Sequence, residues 1–388
     1  MNILIITFED GRWGPSRLVK PLTQAGFQVA ALCPTSNAVA KSGFLARYFP
    51  LTSVKSSRHL AQRLATVMAM WKPEFIIPGD ERTVACLHAL VRRGRLDAAT
   101  QAVLIASLGN PARFDAMLLK SHTLELARSL GVLVPAGAMI AAPDTAVAEA
   151  GRIGYPCYVK TAFSWAGQGV TRCETEPDIR AAVAGARPTG GASWRDTVRR
   201  LLHRDWYPTP GAIDIQQAIA GEPAMYCALA MAGTLVAGFA GHTKQASSAT
   251  GPSSVVTIGP DAAMEQAAAT MIAGLGASGF IGFDFMIETG TGRAYLLECN
   301  PRPIQVGHLG ARIGVDLCAA LAAALHHRAV AAATASGHAT VALFPQEWAR
   351  NPAGGADGHD VPWDDPSLLA AMVMASQNAN SAAIILPN

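Results

Sequence analysis

Phe280-Ile-Gly-Phe-Asp284-Phe-Met-Ile-Glu288, a turn carrying Gly290 and Gly292, and then Tyr295-Leu-Leu-Glu298-Cys-Asn300-Pro-Arg302 decide how this chain is read. Two apolar runs flanking a glycine turn predict the two strands of one hairpin, over 279–287 and 293–299. Side chains alternate along a strand, so Asp284 takes one face, and Glu298 and Asn300 share one face of the partner strand. Two carboxylates and an amide oxygen converging on one spot form a hard-oxygen set suited to Mg²⁺ or Mn²⁺. Arg302 follows directly, a guanidinium placed to neutralise phosphate or acyl-phosphate charge. A merely polar outer face would account for any one of these residues. The ordered set ending in Glu-Cys-Asn-Pro-Arg points instead to a site.

Upstream, Asn110-Pro111 is a helix start, a capping side chain followed by proline at the first helical position. That helical segment is expected to end at Gly131. Strands are expected over 156–161, 213–219, 224–231 and 234–240, and helices over 264–275 and 316–327, which together read as α+β with an antiparallel sheet. The first hundred residues read differently. Strand runs at 3–8, 28–33 and 75–78 alternate with helical patterns at 17–25 and 60–71, the pattern of a parallel sheet covered on both faces. Glu9-Asp10-Gly11-Arg12-Trp13-Gly14 follows the first strand and does not match GxGxxG, and no GxxxxGK[ST] occurs. Two common nucleotide-binding loops are thereby disfavoured. Ile76-Ile-Pro-Gly-Asp80-Glu81 ends a parallel strand, where ligands bind in such sheets. Asp80 reads as a helix cap, and Glu81 could face the cleft.

The chain has 388 residues, half of them hydrophobic and 15% charged, enough for a sizeable core in two or three units. A formal charge of +3 lacks the basic stripe of a polyanion binder, so no nucleic-acid partner is expected. Seven scattered cysteines with no CxxC pair argue against a disulfide framework or structural zinc and fit a reducing cytoplasm. No secretory leader is recognised, and the apolar stretch 317–335 is interrupted by His326, His327 and Arg328, so no membrane span is expected. The stretch 346–366 reads as an ordered loop, with a short helix at 367–375 behind it. The cluster Asp357, Asp360, Asp364 and Asp365 reads as solvated tail.

From about Asn110 to Leu325 the motifs resemble the ATP-grasp superfamily, whose metal-binding acid on one strand is followed by Glu-x-Asn-x-Arg on the next. Asp284, Glu298, Asn300 and Arg302 stand on those positions. Lys120 precedes Gly131-Val-Leu-Val-Pro135, and Lys160 ends Tyr155-Pro-Cys-Tyr-Val-Lys160, as the family's two phosphate-binding lysines do. The resemblance implies that the loop 162–169 covers the phosphates. It also implies that Gln216, Gln217, Ala218 and Ile219 form the adenine hinge, with Glu222 on the ribose. His242-Thr-Lys244 before Thr250–Ser254 is similar to the acceptor side of biotin carboxylase and its relatives. Gly307-His308 and Gly314-Val-Asp316-Leu317 resemble the run that follows the metal motif there, and His308 reads as a structural histidine.

The expected fold class is thus α/β and α+β: an ATP-grasp fold with an N-terminal Rossmann-like, pre-ATP-grasp parallel-sheet domain. The expected division is an N-terminal domain over 1–109, an ATP-grasp domain over 110–330 with a lid at about 155–223, and a C-terminal extension over 331–388. The resemblance implies ATP and Mg²⁺ (or Mn²⁺) as cofactors, small-molecule carboxylate and amine substrates, and a ligase acting through an acyl phosphate. Arg302 and Lys244 would then bind the carboxylate. A homodimer is compatible with this reading. Two alternatives are bicarbonate phosphorylation and a nucleotide-binding subunit without turnover. Gly307 stands where biotin carboxylase carries its proposed glutamate base, which favours an organic acid over bicarbonate.

Overall fold

The computed structural model describes residues 1–10, 13–52, 56–140, 143–161, 170–186, 206, 213–247, 251–328, 335–353 and 357–384. The loop 162–169 and Thr250 lie outside the described residues.

Three sheets organise the chain. The first is parallel, in the order β3-β2-β1-β4, from β1 (Asn2–Ile6), β2 (Gln28–Cys33), β3 (Arg47–Pro50) and β4 (Phe75–Pro78). Ile3, Leu4, Ile5 and Ile6 are all fully buried, as a strand covered on both faces requires. Between these strands, helix Ser57–Trp71 starts at Ser56, whose hydroxyl accepts from the His59 N–H, and ends at Lys72 in a left-handed conformation. Helix Glu81–Arg93 starts at Asp80, whose carboxylate accepts from the Thr83 N–H at 2.8 Å, and stops at Gly94.

The second sheet is a small antiparallel one, β5-β8-β6-β7, from β5 (Gly137–Ile140), β6 (Cys157–Thr161), β7 (Val170–Cys173) and β8 (Ile213–Gln217). It has its own core, in which Ile140, Val159, Cys173, Ile213 and Ile215 pack on Ile179 and Val183. The third sheet has six strands in the order β13-β12-β9-β10-β11-β14. They are β9 (Gly221–Met231), β10 (Thr234–Ala246), β11 (Ser253–Gly259), β12 (Gly279–Glu288), β13 (Ala294–Asn300) and β14 (Ala339–Ala342). One continuous core joins Leu4, Ile76 and Leu87 beneath the parallel sheet to Phe283, Leu296 and Met271 of the large sheet.

The structure departs from the sequence reading in several places. β1 ends at Ile6 rather than Phe8, because Thr7 Oγ1 and the Phe8 N–H both turn to donate to Asp80. The segment after Asn110 is a 3-10 turn and two helices, broken at Leu119 in an extended conformation. β10 runs six residues beyond the expected 240, and the terminal helix covers Pro366–Ile384. The acidic cluster is not simply solvated. Asp365 is 3% exposed, accepts from Ser42 Oγ at 2.6 Å and caps the terminal helix through Leu368. Asp360, 5% exposed, accepts from Phe344 N–H and meets His308 Nε2 at 3.0 Å. All seven cysteines are free, and no described helix is long and apolar enough to cross a membrane.

Candidate active site

The hairpin β12–β13 pairs Asp284 with Glu298 and Gly282 with Asn300, so the three polar side chains share one face, as alternation requires. Asn300 Nδ2 donates to Asp284 Oδ2 at 3.1 Å. Gly282 is needed opposite Asn300, because a Cβ there would collide with the Ile304 side chain from the turn after Arg302.

Lys120 opens helix Lys120–Ser129, and its ammonium lies 2.9 Å from Glu298 Oε2. Burial and the adjacent Glu298 push the Asp284 carboxyl well above the ordinary range. Burial opposes ionisation of Glu298 as well, but Lys120 and a hydrogen bond donated by Asp284 hold it below that range. The two carboxyls are thus pushed in opposite directions, Asp284 up and Glu298 down. Among the described residues no three His, Cys, Asp or Glu side chains cluster, so the oxygen set is two carboxylates and an amide. That set already draws in the Lys120 ammonium. A divalent ion meets the same demand for positive charge, and few protein ligands beside substrate phosphates is the habit of Mg²⁺. The residues fit the metal.

Lys160, near the end of β6, donates to Gln216 Oε1 on β8. Burial, with Lys120 beside it, lowers its ammonium to about 8, against the pull of Glu298, Asp214 and Asp284. Lys120, Lys160, Asp214 and Gln216 line a cleft of about 280 Å³ with Leu124, Met139 and Leu297. Arg302 is buried and donates to Glu81 Oε1, so the parallel sheet supplies a partner to the hairpin's arginine. Gly14 reinforces that junction, since a Cβ on it would meet the Ile304 carbonyl oxygen at 3.0 Å.

The structure thus brings together Lys120, Lys160, Gln216, Asp284, Glu298, Asn300 and Arg302. Other expected residues stand apart. Lys244 is exposed at a bulge of β10 between Thr243 and Gln245, outside this contact network among the described residues. The N–H groups of Gln217 and Ala218 are spent on Ala136 and Pro156 carbonyls, at 2.8 and 3.2 Å, leaving less hinge backbone for a base edge. Ile219 follows the end of β8, and Glu222 is exposed on β9 opposite Ile287. Sequence reasoning passed over Asp214, although an acid inside the apolar run Ile213-Asp-Ile-Gln-Gln217 was a visible signal. It also passed over Trp206, whose ring lies 6.3 Å from Phe8 and beneath Arg82 at the carboxyl edge of the parallel sheet.

His308 lines a separate cavity of about 250 Å³, held between Asp360 and Arg17, and desolvation there lowers its pKa.

Several solved structures share this fold. The biotin carboxylase domain of 2-oxoglutarate carboxylase from Hydrogenobacter thermophilus, solved with MgADP and bicarbonate, is 16% identical with a TM-score of 0.62, over 87% of this chain and 73% of that one. Carboxyaminoimidazole ribonucleotide synthase from Aspergillus clavatus, complexed with ATP, is 13% identical with a TM-score of 0.61, over 87% and 80%. An L-amino acid ligase from Bacillus licheniformis is 13% identical with a TM-score of 0.57, over 84% and 74%. No curated protein matches the chain. The profile of the carbamoyl-phosphate synthase L chain, ATP binding domain, matches residues 120–325, more than half of the sequence. Its match takes in both lysines of the cleft, the hairpin and Arg302, and the chain belongs to that family, within the ATP-grasp superfamily.

Proposed function

We propose that the protein is an ATP-dependent ligase that activates an organic carboxylate as an acyl phosphate and joins it to an amine. The observation that carries this reading is the convergence of two lysines of the cleft and Arg302 on the Asp284–Glu298–Asn300 oxygen set. A carboxylate oxygen of the substrate bonds to the γ-phosphorus of ATP, the bond from that phosphorus to the β-phosphate bridging oxygen breaks, and ADP leaves. The amine nitrogen then bonds to the acyl carbon, inorganic phosphate departs, and the nitrogen gives up a proton.

The protein's part is charge compensation and alignment. Lys160 stands over the cleft to bind phosphate, and Lys120 exchanges Glu298 for phosphate oxygens when nucleotide arrives. Asp284, Glu298 and Asn300 would hold Mg²⁺, which supplies charge neutralisation at the transferring phosphoryl group. Arg302, oriented by Glu81, binds the substrate carboxylate. The neighbours solved with ATP or MgADP support the cofactor assignment by likeness of fold. Action in the cytoplasm, the division into three units, a dimeric state and the roles of Lys244 and Glu222 belong to the same proposal.

Bicarbonate chemistry is the second reading, with His308 as its candidate base, and the setting of that histidine weighs against it. Gly307 carries no side chain to act as a base, and His308 beside it has its Nε2 engaged with Asp360 and Arg17.

The test is ADP release over carboxylate and amine pairs, with product mass measured for each hit. An amino acid or related acid should stimulate ADP formation while bicarbonate alone does not, and Glu298→Gln should lower turnover by at least about 100-fold with the fold intact. Saturating ATP and Mg²⁺ should stabilise the protein by about 2.7 kcal/mol at a hundredfold excess over Kd. Bicarbonate-dependent ADP formation without response to organic acids would reverse the choice.

A further inference from the structure

Asp214 has no place in the scheme so far, yet it is buried inside the proposed nucleotide cleft. Asp214 and Gln216 are two residues apart on β8 and project to the same side, opposite Lys160 and Tyr158 of β6. They are 6% and 2% exposed. Lys160 can only donate, so its contact with Gln216 Oε1 fixes which way the amide points. The Gln216 Nε2 group is then a donor, and it is buried without a hydrogen-bond partner among the described residues. Asp214 Oδ2, an acceptor, is in the same condition. A buried orphan donor beside a buried orphan acceptor is costly unless a ligand supplies the complement. Leu124, Ala138, Met139 and Leu297 give the cleft an apolar wall that suits a flat body, with Ser121, Glu125 and Arg128 also on its lining.

We propose that Asp214 is a base-reading residue, which with Gln216 recognises the amino edge of a 6-aminopurine. The exocyclic amine donates to Asp214 Oδ2, and a ring nitrogen beside it accepts from Gln216 Nε2. The side chains carry this reading because the backbone donors of Gln217 and Ala218 are already spent within the sheet. The inference rests on the nucleotide-binding reading above and adds the determinant of base choice.

Binding of ATP and of purine riboside triphosphate, which lacks the amine, is measured calorimetrically with Mg²⁺ for the parent protein, Asp214→Ala and Asp214→Asn. The parent should prefer ATP by about 10–100-fold, as for a hydrogen bond to a charged group. Asp214→Ala should bind the two alike. Asp214→Asn keeps the shape and a neutral acceptor, so it folds and should lose several-fold of the preference. A general structural role would weaken both ligands together and leave the ratio unmoved. Parent-like ratios in both variants would overturn the role of Asp214 while leaving nucleotide binding in place. A parent protein that binds neither nucleotide would bring down the nucleotide reading itself, and this inference with it.

Discussion

Asp214 also makes a prediction in the absence of any ligand. Burial raises its carboxyl to about 6, against the pull of Lys160, Arg128 and Lys120. An acid whose folded pKa is raised destabilises the fold as pH climbs from its unfolded value, near 4, through about 6, and the penalty is complete above that. Asp214→Asn should therefore be more stable than the parent at pH 8, by up to about 3 kcal/mol, and equal to it near pH 4. Urea melts of both proteins at the two pH values check this. An equal gap at both would mean that Asp214 is not titrating in the fold. Asp284, Glu298 and Asn300 could be placed together from sequence because strand alternation is a short-range rule. The Lys120 contact to Glu298 could not, since it joins a helix start to a strand 178 positions later through tertiary packing alone.

Among elements, the hairpin β12–β13 depends on close approach as much as on its polar face. Gly282 accommodates the Ile304 side chain, so Gly282→Val should overpack this turn and cost about 1–3 kcal/mol. Equilibrium denaturation should show a lowered midpoint with an unchanged slope, and turnover should fall because Asn300 lies opposite. A fully stable Gly282→Val would show that the turn after Arg302 is free to move. Strands β2 and β4 were legible to the residue, being apolar runs between turn signals. Strands β5, β7 and β14 were not, each having only four residues and drawing definition from its neighbours. The break at Leu119 was invisible too, because Phe114-Asp-Ala-Met-Leu-Leu-Lys120 contains neither glycine nor proline. It allows a new helix to begin at Lys120.

At the scale of the whole molecule, Glu81 on the parallel-sheet side and Arg302 behind the hairpin bind two sheets into one site. Removing one member of a buried ion pair strands the other, so Glu81→Ala should cost about 3 kcal/mol. The double variant Glu81→Leu with Arg302→Met should regain much of that stability without regaining turnover. A double-mutant cycle in urea, paired with ADP release, separates the two effects; additive losses would mean the residues do not interact. The same bond bears on how the chain is made. Glu81 and Arg302 are 221 positions apart, and synthesis at about 5–20 residues per second puts roughly 10–40 s between their appearances. During that interval the nascent N-terminal sheet carries an acid destined for burial before Arg302 is there to meet it. Its edge can stay hydrated until the hairpin emerges, so a ribosome stalled before residue 302 should hold a sheet already folded at its centre and still open at its carboxyl rim.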